Sequence, residues 1–166
     1  KASEKLLNAI GYKNSEVSGD TRFDRVLELS RNTDKFKIIE KFTDDKPVFI
    51  AGSSWPLDEN LICEYINQYP DKFKYIIAPH DIGESHLKKI EKLLNVPTER
   101  YTNYTGVEPV DVLLLDTIGM LSRIYKYADI AYVGGAFKEG LHNILEPAAS
   151  GCPVISGPDI AGFPEA

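Results

Sequence analysis

From Pro47 onward, short apolar runs alternate with longer stretches in which apolar and polar positions recur at helical spacing. Val48-Phe49-Ile50-Ala51, Tyr75-Ile76-Ile77-Ala78, Val112-Leu113-Leu114-Leu115, Ile130-Ala131-Tyr132-Val133 and Pro153-Val154-Ile155-Ser156 read as strands, because each run is short and bounded by turn residues. Between them, Leu57 to Tyr69 reads as a helix with Leu61, Ile62, Tyr65 and Ile66 on one face. Ser85 to Leu94 reads as a second, stopped by Asn95 and Pro97, and Thr117 to Tyr127 as a third, with Asp116 or Thr117 as its N-cap. A fourth helix is expected to follow the Gly134-Gly135 loop, and another to begin after the last strand. Strands that are apolar throughout, separated by helices, imply an α/β fold: a doubly wound parallel sheet covered on both faces. The first forty-odd residues are more polar, with Leu6, Leu7 and Ile10 on a short helix and Ser18-Gly19-Asp20 in a turn. The chain therefore divides into a leading segment, 1–46, and a domain, 47–166.

Composition narrows what such a domain can do. A chain of 166 residues with 43% hydrophobic content can bury one sizeable core. A net charge of −6 and a pI near 5.1 argue against nucleic-acid partners and against binding driven by an anionic membrane, while leaving room for a nucleotide held locally. Cys63 and Cys152 have neither C-x-x-C nor Cys/His spacing, which fits buried, reduced thiols. No run approaches the roughly 18 apolar residues of a membrane span.

In a doubly wound sheet the ligand crevice lies outside the carboxyl ends of the strands, so the loops after the strands belong together. They are Gly52-Ser53-Ser54-Trp55-Pro56, Pro79-His80-Asp81, Asp116-Thr117-Ile118-Gly119-Met120, and the stretch from Gly134-Gly135 to His142-Asn143-Ile144-Leu145-Glu146. Paired glycines before a helix start allow close approach of the backbone to an anion. His142 and Asn143 can donate to phosphate oxygens, whereas an ionised Glu146 only accepts and suits a diol such as ribose. Each feature also has a plain structural reading. Asn143 and Glu146 have capping-box spacing, Ser53 or Ser54 could cap the next helix, Trp55 could simply pack, His80 could be a surface histidine, and Gly119 could permit close packing. Their convergence on one edge favours a ligand site. There is no G-x-G-x-x-G, no P-loop, no G-x-S-x-G elbow and no metal-site spacing around His80 or His142.

The succession Val17-Ser18-Gly19-Asp20-Thr21-Arg22-Phe23-Asp24, Ala51-Gly52-Ser53-Ser54-Trp55, Asp116-Thr117-Ile118-Gly119-Met120-Leu121, Ala128-Asp129-Ile130-Ala131-Tyr132-Val133-Gly134-Gly135 and Gly140-Leu141-His142-Asn143-Ile144-Leu145-Glu146-Pro147-Ala148 resembles the C-terminal half of 3-deoxy-D-manno-octulosonic acid (Kdo) transferases. The resemblance implies the Rossmann-like C-terminal domain of a GT-B glycosyltransferase that moves Kdo from CMP-Kdo to a lipid A precursor at the cytoplasmic face of the bacterial inner membrane. It also implies that this chain is the donor half, inactive alone. The acceptor surface, membrane association and general base would lie in an N-terminal domain, and the family continues into further helices where this sequence reaches Gly162-Phe163-Pro164-Glu165-Ala166.

Carried over by position, Glu146 would accept from the ribose, while His142, Asn143 and the backbone around Gly134 and Gly135 would hold the phosphate. Ser53 and Ser54 would face the phosphate or sugar, and Pro79, His80, Ile118, Gly119 and Met120 would enclose the cytosine. Arg22 would pair with a donor carboxylate or phosphate. The chemistry implied is inverting and metal-independent, with no cofactor and no catalytic residue in this chain. Where many relatives have Pro-Arg-His this chain has Ala78-Pro79-His80, and Leu141 stands where glycine is common. A UDP-sugar transferase, an enzyme like UDP-N-acetylglucosamine 2-epimerase, and a non-catalytic Rossmann-like interaction module are the alternatives.

Overall fold

A computed structural model describes residues 2–30, 34–163 and 165–166. Its centre is a six-stranded, wholly parallel sheet of β1 (Val48–Ser54), β2 (Lys74–Pro79), β3 (Thr98–Arg100), β4 (Val112–Leu114), β5 (Ile130–Val133) and β6 (Val154–Ser156), ordered β3-β4-β2-β1-β5-β6. Setting aside the edge strand β3, the chain runs outward from β1 first through β2 to β4, then through β5 to β6. That reversal places a topological switch point between β1 and β5, the position where a Rossmann-like sheet opens a crevice.

Both faces of the central strands are buried because their residues are apolar on both. Val48, Ile50, Ile76, Leu113 and Ala131 meet Ile39, Phe42, Ile124 and Tyr125 on one side. Phe49, Ala51, Tyr75, Ile77, Val112 and Tyr132 meet Ile62, Ile66, Leu87 and Ile90 on the other. The second group of helical residues comes from α4 (Pro56–Gln68) and α5 (Glu84–Leu93). On the first side lie α3 (Lys37–Thr43), α6 (Leu121–Ile124) and the 3-10 turn Tyr125–Tyr127. Because α3 sinks Ile39 and Phe42 into the core, the packed body includes residues that precede Pro47. Helices α1 (Ala2–Ala9) and α2 (Thr21–Ser30) complete the leading segment, and α2 packs on α7 (Leu145–Ala149).

Several elements differ from the expectation. The strand β3 was not foreseen: Thr-Glu-Arg contains no apolar residue, and its three positions are only half-buried at the sheet edge. The helix expected from Thr117 begins at Leu121, because Gly119 sits at φ +82, outside helical geometry. Asp116 caps nothing; its carboxylate accepts from the Thr102 backbone N–H at 3.1 Å and the Thr102 hydroxyl at 2.5 Å. Leu61, expected on one face with Ile62, Tyr65 and Ile66, is half exposed, and α4 buries Asp58 and Glu59 beside Ile62, Cys63 and Ile66. Gly157 to Phe163 form turns rather than the start of a further helix.

Between α4 and the sheet a trough opens beside β5 and β6. There Phe49, Leu61, Tyr65, Phe73, Tyr132 and Ile155 line a nearly all-apolar trough of about 270 Å³. The two thiols are free. Burial pushes the Cys63 thiol up to about 12, which keeps it protonated and unreactive at neutral pH.

Ile66 is fully buried between α4 and the sheet. Replacing it by alanine is expected to lower unfolding stability by about 2–5 kcal/mol, read as a fall in urea midpoint with an unchanged slope.

Candidate functional site

Because all six strands are parallel, the loops after β1, β2, β4 and β5 emerge on one edge of the sheet. The first of them is bent at its root. Ser53 adopts φ +52, rare for a residue with a side chain, and the β1–β2 register slips between Gly52 and Ser54. The chain then enters α4 with Trp55 at the N-cap and Pro56 in the first turn. Neither serine caps the helix: the Ser54 hydroxyl is buried and donates to Glu59 Oε1 at 3.2 Å. Glu59 also bonds His86 Nε2 at 3.0 Å, and its pKa is raised, chiefly by burial.

Asp58 is the polar hub of this edge. Its carboxylate, 1% exposed, accepts from the Trp55 backbone N–H at 2.9 Å and the Gly135 N–H at 3.0 Å, both on Oδ2, and from the Tyr132 hydroxyl at 2.5 Å on Oδ1. Burial and then Asp58 raise the Tyr132 pKa, keeping the phenol protonated as the donor. The glycine pair is explained by this junction. A Cβ on Gly134 would lie 2.3 Å from the Ser53 carbonyl oxygen and 2.7 Å from the Ser54 Cα. One on Gly135, at φ +95, would lie 2.2 Å from the Gly140 carbonyl oxygen. The Gly134 N–H donates to the Gly52 carbonyl at 2.9 Å. Both glycine N–H groups are thus engaged within the chain, and the pair serves to bring β5 and its loop hard against β1.

Beyond Gly135 the loop is pinned by Ala136, Leu141 and Ile144, which join Val133 in a small apolar cluster with Val154 and Phe163. The Leu141 side chain therefore has a packing role. Helix α7 is only five residues long, and Asn143 precedes it, accepting from the Leu145 N–H at 3.1 Å and donating through Nδ2 to Glu146 Oε1 at 3.1 Å. The local Asn143–Glu146 pairing is therefore formed, and it fixes the direction of the Glu146 carboxylate.

Ser53, Pro79, His80, Ile118 and Gly119 line a single cleft of about 180 Å³, with Thr117 and Leu121. Ile118 stands 88% exposed at its mouth. Met120 does not reach the lining; it is buried in the core, with the Thr117 hydroxyl 3.5 Å from its sulfur. His80, in the cleft lining, stacks on the Trp55 ring at 4.4 Å and on the His142 ring at 5.0 Å. The Trp55 indole N–H donates to His142 Nε2 at 2.9 Å. Burial, then the neighbouring His80, lower the His142 pKa, against a weaker opposing pull from Asp58. Arg22, at the start of α2, has its guanidinium held by Asp20 at 2.7 Å and Glu165 at 2.9 Å.

The sequence pattern gives Asp58 and Tyr132 no site role and Trp55 only a packing one. The one available signal was an acid three residues after the α4 N-cap, a spacing that marks a helix start but not the partner 77 positions away.

No protein-family profile matches the chain. It is 29% identical to the 3-deoxy-D-manno-octulosonic acid transferase of Rickettsia typhi over 163 residues, 93% of this chain and 34% of that protein. It is 32% identical to the enzyme of the same name from Haemophilus influenzae over 176 residues, 98% of this chain and 40% of that protein. The chain thus spans between a third and two-fifths of the length of these relatives. Among solved structures, the C-terminal CMP-Kdo binding domain of WaaA from Acinetobacter baumannii shares the fold, with a TM-score of 0.63, 22% identity, and coverage of 84% of this chain and 74% of that one.

Two measurements probe the site without a ligand. Asp58→Ala leaves two N–H groups and a hydroxyl without their acceptor, each worth about 1–3 kcal/mol when buried, so a loss of at least about 3 kcal/mol is expected, with faster exchange of the Gly135 amide proton. Tyr132→Phe, which leaves both N–H bonds in place, should lose less. A histidine whose folded pKa is depressed binds fewer protons in the folded state than in the unfolded one. Its contribution to stability is full above the ordinary value of 6.5 and falls away as pH drops through that value toward the folded pKa. The His142 ring resonances should therefore titrate below 6.5 in an NMR pH series.

Proposed function

As a homologue of Kdo transferases along almost its whole length, this chain forms, we propose, the donor-binding half of such an enzyme and holds CMP-Kdo at the carboxyl edge of its sheet. The observation that carries this reading is the cleft at the ends of β1, β2 and β4, where Ser53, Pro79, His80, Ile118 and Gly119 come together beside the His142 ring. Its walls suit a flat base. Pro79 and Ile118 offer apolar surface, and Gly119 lets backbone approach a ring closely.

The remaining groups sort by what they can donate or accept. Asn143 keeps one amide hydrogen beyond the one given to Glu146, and the His142 ring offers an N–H; these are the donors for the phosphate. Glu146, oriented by Asn143, accepts from the ribose diol. Ser54, whose hydroxyl is turned inward to Glu59, acts by shaping the turn, and Ser53 is the serine that faces the cleft. Gly134 and Gly135 seat the loop. Arg22 acts at most through its field, since two carboxylates already hold it.

In the reaction, an acceptor hydroxyl would attack the anomeric carbon of Kdo while its bond to the CMP phosphate oxygen breaks, inverting that carbon and releasing CMP. Charge builds on the departing phosphate. Fixed donors at that position stabilise the transition state, and removing one such donor costs about 3–4 kcal/mol in other enzymes. This arrangement supports a metal-independent displacement. The general base, the lipid A precursor site and attachment to the cytoplasmic face of the inner membrane are assigned to the part of the enzyme outside this chain.

Calorimetry with CMP and UMP tests the reading. CMP should bind more tightly than UMP, and equal affinity or no binding of either would overturn it. Glu146→Gln should weaken CMP binding about tenfold or more, because a charge-assisted bond of roughly 1.5–3 kcal/mol is lost. If Glu146 serves only to order the start of α7, affinity will stay unchanged and the preference for CMP over deoxycytidine monophosphate will persist. The chain by itself should transfer no Kdo in a radiolabel assay.

A further inference from the structure

The Trp55–His142 bond has a chemical consequence that neither ring has alone. An indole N–H is a donor and never an acceptor. Its 2.9 Å contact with His142 Nε2 therefore requires that nitrogen to carry a lone pair, which puts the ring's single proton on Nδ1. A cationic imidazolium would present an N–H to the indole N–H, and the bond could not form. The partial burial of His142 and the adjacent His80 ring act in the same direction, disfavouring a second proton. No atom of the described residues accepts a hydrogen bond from His142 Nδ1.

We propose that Trp55 is a positioning residue: by donating to Nε2 it holds His142 as the neutral Nδ1–H tautomer, so that the ring offers one directed donor to an anionic oxygen at the strand-end cleft. Trp55 is placed for this by the fold. It is the N-cap of α4, its backbone N–H is fixed by Asp58, and its ring is stacked on His80 at 4.4 Å. The same Asp58 carboxylate holds Gly135, at the root of the loop that carries His142. Donor and acceptor rings are thus referenced to one buried group. The role of the donated proton rests on the nucleotide-binding reading above, whereas the tautomer itself does not.

The test is imidazole nitrogen NMR on this chain labelled with 15N-histidine, without ligand, at a pH one unit above the His142 midpoint. The wild type should show His142 with a protonated-type Nδ1 and an unprotonated-type Nε2. Trp55→Phe keeps an aromatic ring to stack on His80 and removes the N–H together with part of the indole; it should shift His142 toward the Nε2–H form that free imidazole side chains favour. A wild-type ring in the Nε2–H form, or a Trp55→Phe spectrum with Nδ1–H retained, overturns the proposal. Calorimetry with CMP then separates the two readings. A tautomer shift accompanied by about three- to tenfold weaker CMP binding supports both. A tautomer shift with unchanged CMP affinity supports the role of Trp55 and overturns His142 as a phosphate donor.

Discussion

The carboxyl edge of this domain depends on one buried carboxylate. Asp58 belongs to the first turn of α4, yet two of its three partners lie in β5 and the loop beyond it. Each bond removes a donor that would otherwise be stranded in the interior, and together they clamp the two sides of the switch point. The tight fit at Gly134 and the bend at Ser53 are the covalent side of the same arrangement. Without the clamp, the glycines would leave the loop free to sample other conformations.

From that clamp the rest of the edge follows in order. Fixing the Trp55 backbone places the indole, the indole meets both His80 and His142, and His80 lines a cleft at the ends of three parallel strands. The rigid parts are in the sheet and in α4. The groups available to a ligand sit on loops held by them, which is the usual division between scaffold and site. Such an edge is organised by the fold itself, so a ligand held there, as proposed above, would meet little further ordering cost.

How far the sequence reveals all this varies with the physics involved. The strands β1, β2, β4 and β5 are legible because burial on both faces demands unbroken apolar runs. β3 is not, since an edge strand of three half-buried residues needs only backbone pairing with β4. Parallel topology alone forces the strand-end loops onto one edge, which is why Ser53, His80 and Gly119 group together from the sequence pattern. What each side chain does there depends on partners far away in the chain. Ser54 turning to Glu59, Met120 sinking into the core and Asp58 reaching Gly135 are decided by packing, and no local spacing encodes them.

The trough between α4 and the sheet affects how the folded protein behaves in solution. Beside the three-residue edge strand β6 it leaves Leu61 52% and Ile155 48% exposed above the buried Phe49 and Tyr132 rings. A fluorescent dye that reports on exposed hydrocarbon will therefore light up on the native state, where it would ordinarily be taken as a sign of partial unfolding. Melting curves read from such a dye begin at a raised baseline, and circular dichroism in the near-ultraviolet is the better witness to intact packing.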